Sequence, residues 1–117
     1  AVYDRPLVKL DVLKDRVLYR ENEQGRIENV YTLKVMNKAQ HAQSFVITTS
    51  GLDGLAYEGR SEVRAQAGEL VTIPVELSMA PEKLPSSTNE IVFHIKSMDD
   101  ESISDEADSR FIGPSIR

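Results

Sequence analysis

Six carboxylates crowd ten positions near the end of the chain: Asp99, Asp100, Glu101, Asp105, Glu106 and Asp108, with no basic residue among them. Oxygen ligands in such number suit a hard cation such as Ca²⁺. The spacing does not, because the alternating acids of a calcium loop and the glycine that turns it are missing. The plainer reading is a solvated hairpin whose charges discourage edge-to-edge pairing with other chains. The soft metal ligands are His41 and His94 with Met36, Met79 and Met98, the types a copper site would use. However, His41 falls in a polar turn, His94 at an outward position, and Met36 on a different strand from either. None of these residues shows a recognised metal-ligand spacing.

Nucleophilic catalysis fares no better. There is no G-x-S-x-G elbow, and neither histidine has a serine and an acid in a recognised chain order. Gly51, Gly54 and Gly59 do not make G-x-G-x-x-G, and no phosphate-loop lysine accompanies them. Carboxylate pairs are plentiful, but in a chain with 28% charged residues composition alone explains them. No catalytic, cofactor-binding or metal-ligating residue is therefore assigned. The expectation is a chain that by itself has no enzyme activity and binds no cofactor tightly.

The whole chain sets matching bounds. Its 117 residues make one domain. With 0 Cys, disulfides, thiolate zinc sites and iron–sulfur ligation are excluded from this chain. The net charge of −5 has the wrong sign for a nucleic-acid backbone or an anionic membrane. Residues 99–117 hold six acids and two bases, so four of the five net charges lie at one end. No apolar run reaches the roughly 18–20 residues of a membrane span, and no signal-peptide pattern opens the chain.

The elements that must carry these residues have a period of two. Ile27, Tyr31, Leu33 and Val35 alternate with Glu28, Thr32 and Lys34, the mark of a strand with one face in a core. Phe45 and Ile47, then Ile73, Val75 and Leu77, then Ile91, Phe93 and Ile95 repeat the pattern. Val8, Leu10 and Val12 do so earlier, with residues 17–20 as a short continuation, and Ala107, Ser109 and Phe111 do so at the end. Polar segments with Gly or Pro separate the runs. Pro74 has no N–H for a ladder, which predicts an edge strand or a bulge. About seven short strands at this spacing predict an antiparallel β-sandwich. Its predicted core is Val8, Leu10, Tyr31, Leu33, Val35, Phe45, Ile47, Ile73, Val75, Leu77, Ile91, Phe93, Ile95 and Phe111. Residues 1–6 read as a linker, 7–114 as the domain and 115–117 as a tail.

The wording of the strands carries a resemblance. Asp15-Arg16-Val17-Leu18-Tyr19-Arg20, followed by Gly25-Arg26-Ile27-Glu28-Asn29-Val30-Tyr31-Thr32-Leu33-Lys34-Val35-Met36-Asn37-Lys38, resembles the C-terminal region of the FixG/CcoG (RdxA) family. The closing Arg110-Phe111-Ile112-Gly113-Pro114 is similar to that family's ending. The likeness runs from about residue 7 to 114. It implies an immunoglobulin-like sandwich, although the chain has neither the cysteine pair nor the tryptophan of antibody domains. It further implies a fragment of a multi-spanning bacterial inner-membrane protein, an accessory of cbb-type cytochrome c oxidase associated with copper reduction and delivery. The iron–sulfur clusters would belong to the rest of the parent, and this domain would sit on the periplasmic side, tethered by upstream membrane helices. Its partners would be proteins, either oxidase subunits or the parent's own membrane part, with no nucleic acid and no membrane insertion. The rival reading is a secreted or pilus-type sandwich that binds a ligand or a donated strand. Such a chain would follow a cleaved signal peptide, and 6% aromatics without Trp is thin for a sugar platform.

Overall fold

The computed structural model describes residues 7–16 and 19–114. Among the described residues nine strands run in order: β1 (Val8–Lys14), β2 (Arg20–Glu21), β3 (Ile27–Asn37), β4 (Gln43–Ser50), β5 (Ala56–Gly59), β6 (Glu62–Ala65), β7 (Leu70–Met79), β8 (Thr88–Ser97) and β9 (Ser104–Ile112). One 3-10 turn, Pro81–Lys83, is the helical element of the described residues. The first sheet has the order β1-β3-β7-β5, with β2 paired to the start of β3; the second is β6-β4-β8-β9. Every pairing is antiparallel.

Alternation put the correct face inward. All fourteen predicted core residues are buried, each at 3% exposure or less. Tyr31 from the first sheet meets Phe93 from the second edge-to-face, with ring centroids 5.1 Å apart. Ile27, Val63, Ala65, Met79, Leu84 and Ile103 complete the core. Burial of this interleaved apolar layer is the main stabilising term, and the two sheets exist as a unit because each hides the other's apolar face.

The architecture is the predicted immunoglobulin-like sandwich, with more strands than expected. Chemistry hid β5 and β6: each is four residues long, and Gly59, the last residue of β5, reads as loop. In the structure Gly59 has φ +133° and passes so close to β7 that an added Cβ would lie 3.1 Å from the Pro74 carbonyl oxygen. Arg20–Glu21 does not continue β1 but pairs antiparallel with Glu28 and Ile27. Residues 17 and 18 of the expected continuation lie outside the described residues, as do the expected linker 1–6 and tail 115–117. Pro74 also needs a finer statement. Its strand pairs with β3 along one side, while β5 pairs only with Val75–Ser78 on the other. Pro74 is the first residue beyond that partner, so its missing N–H falls where β7 becomes an edge.

One side of the sandwich is closed by polar groups. The Leu10 N–H on β1 donates to Asp105 Oδ2 on β9 at 2.9 Å. Tyr31 Oη donates to the Arg110 carbonyl at 2.7 Å. Asn29 exchanges two bonds with Ile112, Nδ2 to its carbonyl at 2.9 Å and Oδ1 from its N–H at 2.8 Å. These satisfy groups that burial would otherwise leave unpaired.

Candidate functional site

The outer face of the second sheet carries the more promising surface. Strand register lays Val46, Lys96 and Ser104 in one row across β4, β8 and β9, and Thr48, His94 and Glu106 in the next. Together with the backbone around Ile95 and Asp105 they line a cleft of about 460 Å³. Val46 and Val92 are half-buried on this face. The cleft has an acidic border, because the β8–β9 turn holds Asp99, Asp100 and Glu101, while Glu106 and Asp108 stand outward on β9.

Within this face the fold joins residues that the chain keeps far apart. His94 Nε2 lies 2.7 Å from Ser50 Oγ, and His94 Nδ1 lies 3.2 Å from Glu106 Oε2. Serine and acid therefore do accompany a histidine, in the chain order Ser-His-Glu, which is not one of the familiar orders. Inspection of the sequence missed them because 44 and 12 residues separate the partners, and only cross-strand register makes them neighbours.

The acidic run does not act as one group. Asp105 points inward and accepts from the β1 backbone. Asp100 accepts from the Ser102 hydroxyl at 2.7 Å and the Ser102 N–H at 3.0 Å, and these bonds hold its carboxyl below the usual range. Lys96 comes within 3.7 Å of Glu101. Such divergence fits a self-capped turn better than a chelating loop.

A second polar cluster lies on the outer face of the first sheet. Glu28, Glu58 and Glu76 come from β3, β5 and β7, and their carboxylate oxygens fall within 4.8 Å of one another. Among the described residues this is the one set of three or more His, Asp or Glu groups close enough to share a cation. Arg20 already answers much of its charge: Nε donates to Glu28 Oε1 at 2.8 Å and Nη2 to Glu76 Oε1 at 3.1 Å. Hydrogen bonds from Asn22 and Arg20 hold the Glu28 carboxyl below the usual carboxylate range. The outward parity of Glu28 and Glu76 was legible, but their shared neighbourhood was not, since pairing partners are not written in alternation.

The soft ligands are dispersed. His41 and Met98 are exposed, Met79 is buried in the core, and Met36 and His94 stand on outer-facing positions of opposite sheets. No helix of the described residues is long and apolar enough to cross a membrane.

Comparison with known proteins agrees with this architecture. A family model described as "IG-like fold at C-terminal of FixG, putative oxidoreductase" matches residues 1–114. A search of curated proteins returns no match. Among solved structures, the crystal structure of a FixG-related protein from Vibrio parahaemolyticus superposes with a TM-score of 0.83 and 31% identity. That likeness covers 92% of this chain and 97% of the other. Nearly the whole chain is thus accounted for by one family, and it belongs to the immunoglobulin-like C-terminal domains of FixG proteins.

Proposed function

We propose that this domain is the periplasmic recognition and scaffolding end of a membrane-bound, iron–sulfur FixG-like protein that serves cbb-type cytochrome c oxidase assembly and copper handling. The redox chemistry belongs to the parent's clusters, and this domain supplies a docking surface. The observation that carries the reading is the cleft on the second sheet, with half-buried Val46 in its lining and acids along its border. A surface of that kind suits a basic protein segment: apolar contact gives footing, and the acids speed and orient the encounter. The fitting partners are oxidase subunits or the parent's own membrane part.

The test uses the full-length parent in its native host. Deleting residues 7–114 should impair oxidase assembly while the iron–sulfur clusters remain loaded. Reversing the border charges with Asp99→Lys, Glu101→Lys and Asp108→Lys should slow partner association and flatten its salt dependence. Normal oxidase levels in the deletion strain would sink the role. A cysteine placed on the exposed face of this domain should react with a membrane-impermeant thiol reagent in intact spheroplasts; protection until lysis would overturn the periplasmic placement.

A further inference from the structure

The Ser50–His94–Glu106 array lies on the face proposed for docking, but its chemistry is independent of that reading. The sheet fixes the geometry. His94 stands directly across from Thr48 on β4 and from Glu106 on β9, and Ser50 is one diagonal step away beside Val92. An ionised carboxylate can only accept a hydrogen bond, so with Glu106 at 3.2 Å the Nδ1 atom carries the imidazole proton. Nε2 of the neutral ring then offers its lone pair to the Ser50 hydroxyl at 2.7 Å. Hydroxyl, imidazole and carboxylate are linked in the order that turns an alcohol into a nucleophile. Ser50 is exposed, at the last position of β4, so a reagent can reach it.

We propose that Ser50 is a base-activated nucleophile that accepts an acyl group from small, activated acyl donors such as aryl esters, acyl phosphates or thioesters. Ser50 Oγ forms a bond to the carbonyl carbon while its proton passes to His94 Nε2. Glu106 holds the resulting imidazolium by its Nδ1–H. Collapse of the tetrahedral adduct breaks the bond to the leaving group, which departs with the proton from His94. Water, deprotonated by the same imidazole, then releases the acyl group as a carboxylic acid and restores Ser50.

Two features limit the donor. Ser50 pairs with Val92 inside the β4–β8 ladder, and among the described residues no side chain besides His94 is bonded to its hydroxyl, so the site is without the side-chain oxyanion donors that are worth about 10²–10³ in rate. The leaving group must therefore be a good one. Val92, half-buried directly across from Ser50, gives apolar footing to a short acyl chain. Glu106 is a positioning residue; Ser50 and His94 are the reacting pair.

The experiment treats the purified chain with p-nitrophenyl acetate and, separately, with a fluorophosphonate, and maps the modified residue by mass spectrometry. The expected result is one adduct on Ser50, absent in Ser50→Ala. His94→Gln should slow acylation by about 100-fold or more, the usual share of a general base. Glu106→Gln should slow it by about tenfold and change the pH profile, since the carboxylamide can also donate and no longer fixes the tautomer. The charged groups facing the ring are Glu106 and Asp108 on β9 and Lys96 on β8, while β4 presents only Thr48 and Ser50. All three substitutions are on the sheet surface, and unchanged urea midpoints show that the fold persists. Adducts confined to lysines, equal labelling of Ser50→Ala, or an undiminished rate in His94→Gln would overturn the proposal. None of these outcomes bears on partner docking.

Discussion

Asp105 on β9 accepts the Leu10 N–H of β1 at 2.9 Å, a bond between two sheets that share no ladder. The carboxylate satisfies an edge-strand donor and pins the two sheets where β1 and β9 meet. It also separates one acid of the C-terminal run from its neighbours in role, for Asp105 is structural while Glu106 faces solvent. Replacing it by Ala should lower stability by about 1–2 kcal/mol, the usual loss when a charge-assisted bond to a part-buried donor is removed. Asp105→Asn, which retains an acceptor oxygen, should lose less. Urea denaturation followed by circular dichroism checks both, and equal midpoints for Asp105→Ala and wild type would refute the linkage.

Asn37 is fully buried, and its side chain meets several backbone groups at once. Nδ2 donates toward the carbonyls of His41, Ala65 and Gln66 at 3.0–3.1 Å, and Oδ1 accepts from the Ala39 N–H at 3.0 Å. Asn37→Asp removes the donor and sets a carboxylate against carbonyl oxygens. A loss of about 3 kcal/mol or more is expected at neutral pH, with partial recovery in acid as the carboxyl protonates. A stability loss that does not ease on acidification would argue against this bonding pattern.

Gly51 turns the chain out of β4 with φ +115°, and a Cβ there would lie 2.7 Å from the Glu90 carbonyl oxygen. Both the dihedral and the contact oppose a side chain. Gly51→Ala should cost about 3 kcal/mol, whereas Gly68→Ala, with open space around its Cβ, should cost less despite its positive φ of 74°. Thermal melts of the two variants give the comparison; a larger loss at Gly68 would contradict the packing.

Burial pushes the Tyr57 phenol up from 10 to about 12, and its hydroxyl donates to the Arg60 carbonyl at 2.7 Å. Folding favours the neutral ring, so its contribution is fully present below pH 10 and is lost as pH rises through about 12. Alkaline absorbance titration should show a phenolate step near the upper value that vanishes in Tyr57→Phe. Ionisation of Tyr57 near pH 10 would show the ring to be more open than the structure has it.

Glu28 behaves in the opposite sense. With its folded value held below the ordinary 4.5, its pairing with Asn22 and Arg20 is fully felt above that ordinary value and fades as pH falls through the lowered one. Glu28→Gln should therefore narrow the gap in stability between pH 7 and acid, by well under 1 kcal/mol for so solvent-screened a partner as Arg20. An unchanged pH–stability curve in Glu28→Gln would show that the pairing is idle.

The sequence by itself determined the class of the fold and the face of nearly every long strand. Period-two alternation is a local property, set by the geometry of one extended chain, and it placed Tyr31, Phe45, Phe93 and Phe111 inside without knowledge of any partner. It also carried the family resemblance, which lies in the wording of residues 15–38 and 110–114. Tertiary structure alone decided which outward residues meet. Ser50, His94 and Glu106, like Glu28, Glu58 and Glu76, stand at outward positions on separate strands, and their distances depend on strand order and register. Those are settled by the fit of one whole sheet against another, a non-local quantity to which each strand contributes and which no single strand contains. Asp105 shows the limit most plainly: six acids in ten positions look alike in the chain, and only the approach of β1 to β9 gives one of them a backbone to hold.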